Sequence, residues 1–257
     1  MVDLSVSIVT YNNSRTISAT LDSLLALLPV EFSYVITVID NGSTDETLEI
    51  VSRYQDRLIL LCAEKGNIGF GAAHNRTLQN LDSRYHLIMN PDISLTNTQS
   101  IRCLVDCLDC QPDIGMVVPC IISPAGETQY LCRRQPTFLD LSIRFLPGYM
   151  MPKRQRFHTM QDQDYTQSFD VPFASGCFLM IRTELWCQLG GFDPRFFLYL
   201  EDADLTRRVN QVSRTIYIPD AVVIHQWERS SYKNVRHGLV HLASLFRYFQ
   251  KWGWAFI

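Results

Sequence analysis

An α/β fold with a mainly parallel sheet flanked by helices, ending in a C-terminal helical extension, is predicted by three features of the chain. Short apolar runs alternate with segments of helical period. Polar clusters rich in Asn and Asp follow the runs, where the strands of an open parallel sheet would end. The last segment is aromatic, basic and amphipathic.

The elements follow in order. Leu4 to Thr10 reads LSVSIVT, a short buried strand, after which Ile17, Leu21, Leu24, Leu25 and Leu28 recur at helical spacing. Tyr34 to Asp40 is the second strand, and Ser43-Thr44-Asp45-Glu46 has the form of a capping box opening a second helix. Leu58 to Cys62 reads as a strand, followed by a Gly-rich turn and a helix through Leu81. A strand at His86 to Met89, a helix from Gln99 to Cys110 and a strand at Met116 to Ile122 complete the alternation.

Periodicity fades from Ser123 to Asp170, where Pro124, Pro136, Pro147, Pro152 and the basic group Lys153, Arg154 and Arg156 predict a long, partly mobile insertion. Order returns at Phe173 to Ile181. A short helix near Glu184 to Leu189, a turn at Gly190 to Asp193 and a helix starting at Glu201 come next. Strands near Ile216 and Val222 and a helix from Tyr232 finish the chain.

Composition narrows the class. With 257 residues, 47% of them hydrophobic, the chain can bury a substantial core and is not a disordered sequence. The 23 basic and 26 acidic residues give a net charge of -3, which excludes a general attraction to nucleic acid. The start lacks a basic region followed by an apolar stretch and a cleavage site, so export is not expected, and the expected location is the cytoplasm or the cytoplasmic face of the inner membrane. No run reaches the roughly 18 apolar residues of a spanning helix. Cys103, Cys107 and Cys110 share one helical stripe with Leu104 and Leu108, which predicts packing rather than a metal knuckle.

Four polar clusters occupy the predicted strand ends: Thr10-Tyr11-Asn12, Asp40-Asn41, Asn67 to Asn75, and Asn90-Pro91-Asp92. Turn chemistry explains each singly, and their convergence on one sheet edge points to a ligand. Asp92 stands where a diphosphate would bind, and one carboxylate beside a pyrophosphate suffices to recruit Mg²⁺ or Mn²⁺. Glu201, Asp202 and Asp204 begin a helix containing Arg207 and Arg208; Asp204 is accounted for by a pair with either arginine. A helix N-terminus is expected to lower the pKa of Asp202 and keep it ready to accept a proton. His225, after the run Ala221 to Ile224, is a metal ligand or a hydrogen-bonded turn residue.

Together these segments resemble the inverting glycosyltransferases of family 2, and within them a rhamnosyltransferase-like branch. Ser7 to Asn12 is similar to the opening strand and nucleotide loop, and Val38 to Asp45 to the V-D-N-x-S-x-D segment. Asn67-Ile68-Gly69-Phe70 with Asn75 resembles the N-x-G-F…N element, and Asn90-Pro91-Asp92 the DXD-like metal element. Gly190 to Asp193 and Tyr199 to Leu205 resemble the acceptor-side turn and the base-bearing helix start. Agreement of six ordered elements is more specific than any single one.

The resemblance implies a GT-A fold: a domain over 1–228, with a nucleotide-binding half at 1–122 and an acceptor half at 123–228, and a C-terminal helix over 229–257. It implies a dTDP- or UDP-sugar held by Thr10, Tyr11, Asn12, Asp40, Asn41, Asn67, Gly69, Phe70, Asn75 and Asn90. Asp193 and Glu201 would lie on the acceptor side, Asp92 and His225 on the metal, and Asp202 would be the base. His225 opens an H-x-x-G-x-S element in which Ser230 is the serine and Glu228 stands where Gly is usual. The processive Q-x-x-R-W element is absent, since Thr215 follows Gln211-Val212-Ser213-Arg214, so transfer of a single hexose such as rhamnose is expected. The acceptor implied is a lipid-linked glycan of surface polysaccharide (O-antigen-like) assembly. Residues 229–257 carry five Lys or Arg and no Asp or Glu, and so either lie in an anionic membrane interface or pack on the core. A sugar-nucleotide pyrophosphorylase and a catalytically silent glycan-binding scaffold are the alternatives.

Overall fold

The computed structural model describes residues 1–63, 66–143, 151–226 and 235–256, with backbone alone at 235–237. Its strands are β1 (Val2–Thr10), β2 (Tyr34–Asp40), β3 (Ile59–Cys62), β4 (Ser83–Met89), β5 (Ile93–Leu95), β6 (Ile114–Ile122), β7 (Cys132–Arg133), β8 (Phe169–Asp170), β9 (Phe173–Ala174), β10 (Phe178–Arg182) and β11 (Arg214–His225). Among the described residues nine of them form one sheet in the order β3-β2-β1-β4-β10-β6-β11-β5, with β8 on β11. β3, β2, β1 and β4 run parallel, as do β6 and β11. β10 is wedged antiparallel between β4 and β6, and β5 and β8 pair antiparallel with β11.

Both faces of this sheet are buried, which is why its strands read as continuous apolar runs. Leu87, Met89, Val117, Phe178 and Met180 face one core with Ile17, Leu21, Leu24, Ile101, Leu104 and Leu108 of the Ile17–Leu27 and Gln99–Cys110 helices. Their neighbours Ile88, Met116, Val118, Leu179 and Ile181 face the other core, against Trp186, Phe192, Leu205 and Val209. Within the Gln99–Cys110 helix, Cys103 and Cys107 flank the buried stripe and Cys110 is exposed.

Several expected elements take a different form. The Ser43 box does not cap a helix: the helix is Thr47–Ser52, the Asp45 carboxylate accepts the Thr47 N–H at 3.0 Å, and Ser43 Oγ instead accepts the Asn12 N–H at 3.0 Å. The helix expected through Leu81 is α-helical only over Phe70–His74 and tightens to a 3₁₀ helix over Asn75–Asn80. There the Asn75 side chain bonds to Phe192 and Thr77 Oγ1 donates to the His74 carbonyl, competing with the regular ladder. The two strands near Ile216 and Val222 are one, β11, whose register against β6 slips between Ile218 and Val222 around Pro219, a residue with no N–H to pair. The Ser123 to Asp170 insertion contains the helices Phe138–Ile143 and Pro152–His158 and is pinned by the pairs Arg154–Asp140 at 2.6 Å and Arg134–Asp162 at 2.6 Å.

The C-terminal helix, Val235–Trp252, packs one face on the domain, where Leu245, Tyr248 and Phe249 meet Leu141, Phe173, Phe196, Leu200 and Ala203. Tyr232, where it was expected to start, lies outside the described residues, as do Glu228 and Ser230. Fully buried Asp204 anchors the helix by accepting from Lys251 Nζ at 2.6 Å and Trp252 Nε1 at 2.8 Å, besides Arg208 Nε at 2.8 Å.

His74 and His86 are wholly buried between the sheet and its covering helices, with Nδ1 of each on a serine hydroxyl, Ser7 at 2.7 Å and Ser5 at 2.8 Å. Burial holds His74 well below the ordinary histidine range and His86 at about 3. The fold therefore keeps both rings neutral, whereas the unfolded chain protonates them below about pH 6.5. Stability is fully present above that pH and is lost as pH falls toward 3, at roughly 1.4 kcal/mol per pH unit for each histidine. Urea unfolding should show a lower midpoint at pH 5 than at pH 7, and His86→Gln should remove about one proton from the slope.

Candidate active site

Beyond the carboxyl ends of β1, β2 and β4 opens a cleft of about 560 Å³, within the range of small-molecule sites. Tyr11, Asn41, Asn67, Gly69, Phe70, Asn90 and Asp92 line it, together with Phe197, Leu198 and Val240. All four predicted polar clusters thus contribute to one cavity.

The loops are built by their own polar side chains. Asp40 Oδ2 accepts the N–H groups of Gly42 at 3.2 Å and Ser43 at 3.1 Å, and Thr10 Oγ1 donates to Oδ1 at 3.3 Å. Asn12, left-handed at φ 58°, accepts the Thr44 N–H through Oδ1 at 2.8 Å. Asn41 clamps the Gly-rich loop: Oδ1 accepts the Ile68 N–H at 3.0 Å while Nδ2 donates to Asn67 Oδ1 at 3.1 Å and the Gly69 carbonyl at 3.3 Å. Gly69 has φ 95°, and a Cβ there would lie 2.5 Å from the Phe197 carbonyl oxygen, so only glycine lets the two loops meet. The Phe70 N–H donates to that carbonyl at 2.9 Å.

Antiparallel pairing of β5 with β11 sets Ile93 opposite His225 and brings the two predicted metal residues together, His225 Nε2 lying 3.3 Å from Asp92 Oδ2. Gln129 Nε2 donates to the His225 carbonyl at 3.0 Å, which turns Gln129 Oε1 toward His225 Nδ1 at 2.9 Å as an acceptor. With Nδ1–H donating, a neutral ring directs its Nε2 lone pair at a carboxylate oxygen, an arrangement that a cation between them stabilises. Asp92 Oδ1 is buried and has no hydrogen-bond partner. The Asp92 carboxylate is the ligand that fits Mg²⁺ or Mn²⁺, with phosphate oxygens and waters completing the shell, and the imidazole beside it fits the softer Mn²⁺ better than Mg²⁺.

Asp202 lies in the first turn of the Glu201–Val209 helix, where its Oδ2 accepts the Gly176 N–H at 3.1 Å and its Oδ1 the Ala203 N–H at 2.9 Å. The expected lowering of its pKa is overturned. Burial raises it and outweighs the Gly176 N–H and the Arg133 charge, which pull the other way. Glu201 is pushed well above the carboxylate range by burial and then by the Asp202 charge, and its Oε2 has no partner. The proton of this pair therefore belongs on Glu201, and the charge on Asp202, which has the donors.

Burial pushes the Cys177 thiol up to about 12, and the charges of Asp92 and Asp202 add to the rise. Asp202 is not part of the cleft wall itself. It stands behind Gly176 and Phe70: a Cβ on Gly176 would lie 3.3 Å from Asp202 Cβ and 3.4 Å from Phe70 Cε1. Asn75 is absent from the wall too, since Nδ2 donates to the Phe192 carbonyl at 2.7 Å and Oδ1 accepts the Phe192 N–H at 2.8 Å. Asp193 is held by Arg195 at 2.6 Å and Lys251 at 2.8 Å, which depress its pKa. Gly176, Gln129, Leu198 and Val240 were not anticipated. Their contribution comes from long-range packing, and only the apolar run before Glu201 hinted at Leu198.

Residues 5–188 match the family described as "Glycosyl transferase family 2". An "N-acetylglucosaminyl-diphospho-decaprenol L-rhamnosyltransferase" of Mycobacterium tuberculosis is 30% identical over 243 residues, covering 89% of this chain and 77% of the relative. "Rhamnosyltransferase WbbL" of Escherichia coli is 24% identical over 240 residues, covering 84% of this chain and 87% of the relative. Among solved structures, GalNAc-T7 with UDP, GalNAc and Mn²⁺ superposes with a TM-score of 0.69 at 20% identity, over 91% of this chain and 45% of that one. A mannosyltransferase of Pyrobaculum calidifontis, in complex with GDP-Man and Mn²⁺, gives 0.65 at 20% identity, over 96% of this chain and 64% of that one. This chain thus spans less than two thirds of either structure, and the likeness to them is one of fold, the GT-A fold.

Gly69→Ala tests the loop contact. The positive φ and the clash with the Phe197 carbonyl should together cost about 2 kcal/mol or more, seen as a fall of several degrees in the thermal unfolding midpoint.

Proposed function

Because the chain belongs to glycosyl transferase family 2, we propose that it moves a single sugar, rhamnose or a related hexose, from a dTDP- or UDP-sugar to a lipid-linked glycan acceptor in surface polysaccharide assembly, with inversion at the transferred carbon. The observation that carries this reading is that adjacent residues of one segment hold both acidic elements: the Cys177 carbonyl accepts the N–H of Asn90, two residues before Asp92, at 2.8 Å, and the Gly176 N–H donates to Asp202 Oδ2 at 3.1 Å. The relatives named as rhamnosyltransferases support the choice of sugar and of a lipid-linked acceptor.

In this reading residues 1–122 hold the nucleotide and 123–228 face the acceptor. Tyr11, Asn41, Asn67 and Asn90 contact the nucleotide sugar, with Thr10, Asn12 and Asp40 shaping the loop that carries them. Asn75, through Phe192, keeps the acceptor-side turn next to the donor loop. Asp92 and His225 would hold Mg²⁺ or Mn²⁺, which when bound neutralises charge on the departing diphosphate. Asp202 takes the proton of the acceptor hydroxyl as that oxygen bonds to the anomeric carbon. The bond from that carbon to the diphosphate breaks on the opposite side, its electron pair leaving on the phosphate oxygen. A single displacement of this kind inverts the centre. Glu201, retaining its proton beside Asp202, keeps a second charge out of the buried corner.

Among the described residues no helix is long and apolar enough to cross a membrane. A lipid-linked acceptor would then be met at the cytoplasmic face of the bilayer, by a chain bound to its surface.

Incubation with a panel of nucleotide sugars and polyprenyl-diphosphate-linked acceptors should give transfer with a dTDP- or UDP-sugar, lost with EDTA and restored by Mn²⁺ or Mg²⁺. Silence with every donor would refute the assignment. Asp202→Asn should lower kcat by about a hundredfold or more and leave donor binding unchanged; turnover at the parental rate would remove Asp202 from the role of base. Since burial raises the Asp202 pKa, the acid limb of the pH–rate profile should lie above the ordinary aspartate value, activity falling as pH drops through it.

A further inference from the structure

The Val235–Trp252 helix has two faces with different fates. Its inner face closes the domain and touches the cleft: Val240 lines the cavity, Ser244 Oγ donates to the Leu198 carbonyl at 2.8 Å, and the His241 and Tyr199 rings lie 5.2 Å apart. Its outer face leaves Leu239 64%, Leu242 50% and Phe246 56% exposed. The surface continues beyond the helix, because the Phe246 ring meets Trp254 at 5.8 Å and Trp254 meets Phe138 and Phe256 at 6.3 Å each. The tail is fastened there by the Phe138 N–H, which donates to the Ala255 carbonyl at 2.7 Å, and Phe256 is 64% exposed.

Charge identifies what this face meets. The helix, its tail and the neighbouring Phe138–Ile143 and Pro152–His158 helices contain one carboxylate, Asp140, which is buried and paired with Arg154 at 2.6 Å. Arg247, Lys153 and Arg156 are exposed on the same segments. Aliphatic and aromatic side chains on segments whose exposed charged side chains are all cationic suit the headgroup region of an anionic bilayer, where Trp and Phe settle and each cation gains from the surface potential.

We propose that Leu239, Leu242, Phe246, Trp254 and Phe256 form a docking surface for anionic lipid, which sets the cleft beside the bilayer through the helix that also carries Val240. This rests on the reading of the acceptor as lipid-linked. It assigns the surface by which a chain without a described spanning helix reaches such an acceptor.

The test is co-sedimentation of the full chain with phosphatidylcholine vesicles, with and without phosphatidylglycerol. The parental protein should partition onto the anionic vesicles, less so at high salt. Leu242→Asp combined with Phe246→Asp should lower that partition by at least about tenfold. Circular dichroism, the thermal midpoint and donor hydrolysis should stay unchanged. Arg247→Glu, which leaves the apolar face intact, should weaken binding at low salt alone. Equal partition of the double variant and the parent, or no binding of the parent, would overturn the proposal. So would a parental dimer, in analytical ultracentrifugation, that the double variant abolishes, since the face would then belong to a second copy. Binding of vesicles through this face without sugar transfer to any lipid-linked acceptor would leave the surface standing and remove the acceptor reading instead.

Discussion

Three residues between β9 and β10 hold the candidate site in register. The Cys177 carbonyl accepts the Asn90 N–H at 2.8 Å, fixing the loop that presents Asp92, and the Gly176 N–H donates to Asp202 at 3.1 Å. The Ser175 N–H donates to the Leu131 carbonyl at 3.3 Å, tying in the insertion that carries Arg133. Two acidic elements far apart in sequence are thereby tied to adjacent residues of one segment. Gly176 has Asp202 and Phe70 within about van der Waals contact of any added Cβ, so little motion is left to the segment. Preorganisation of this type places charges before the reacting groups arrive, where a low dielectric makes them most effective.

The same wedge explains which parts of the fold were legible. Strands buried on both faces carry a dense apolar signal, and the Tyr34–Asp40 strand and Gln99–Cys110 helix agree with expectation residue for residue. That β10 enters the sheet antiparallel, and that β5 reverses to meet β11, depends on pairing between distant segments, which local periodicity does not encode. The Ser43 box failed for a related reason. Its hydroxyl had a competing donor, the Asn12 N–H, from a loop 31 residues away.

The candidate site divides along similar lines. Asn and Asp after strands marked the cleft edge, and Asn41, Asn67, Asn90 and Asp92 do line it. The marking says nothing about which face of each side chain is used. Asp40 gives one oxygen to the Gly42 and Ser43 N–H groups and the other to the Thr10 hydroxyl, Asn75 gives both polar atoms to the Phe192 backbone, and an Asn that staples a turn has the same sequence signature as one that offers its amide to a ligand. The Asp202 pKa is a further case. Position at a helix start argued for lowering, but burial beside Glu201 acts more strongly, and burial is a property of the assembled fold.

How the Glu201–Asp202 pair is aimed follows from the turn that precedes it. Tyr199 and Leu200 are consecutive left-handed residues, at φ 72° and 66°, a conformation that costs roughly 1–2 kcal/mol for each non-glycine residue. Such a turn persists only where its surroundings over-determine it. Here the restraint comes from two sides: the Phe70 N–H on the Phe197 carbonyl, and Ser244 Oγ on the Leu198 carbonyl with His241 against Tyr199. Asp204, one turn into the same helix, adds the Lys251 and Trp252 contacts. The turn that leads into Asp202 is thus suspended between the loop that carries Gly69 and the C-terminal helix. In the proposed mechanism the inner face of the C-terminal helix, through Ser244 and His241, therefore helps to position Asp202, while its exposed outer face stays outside the site.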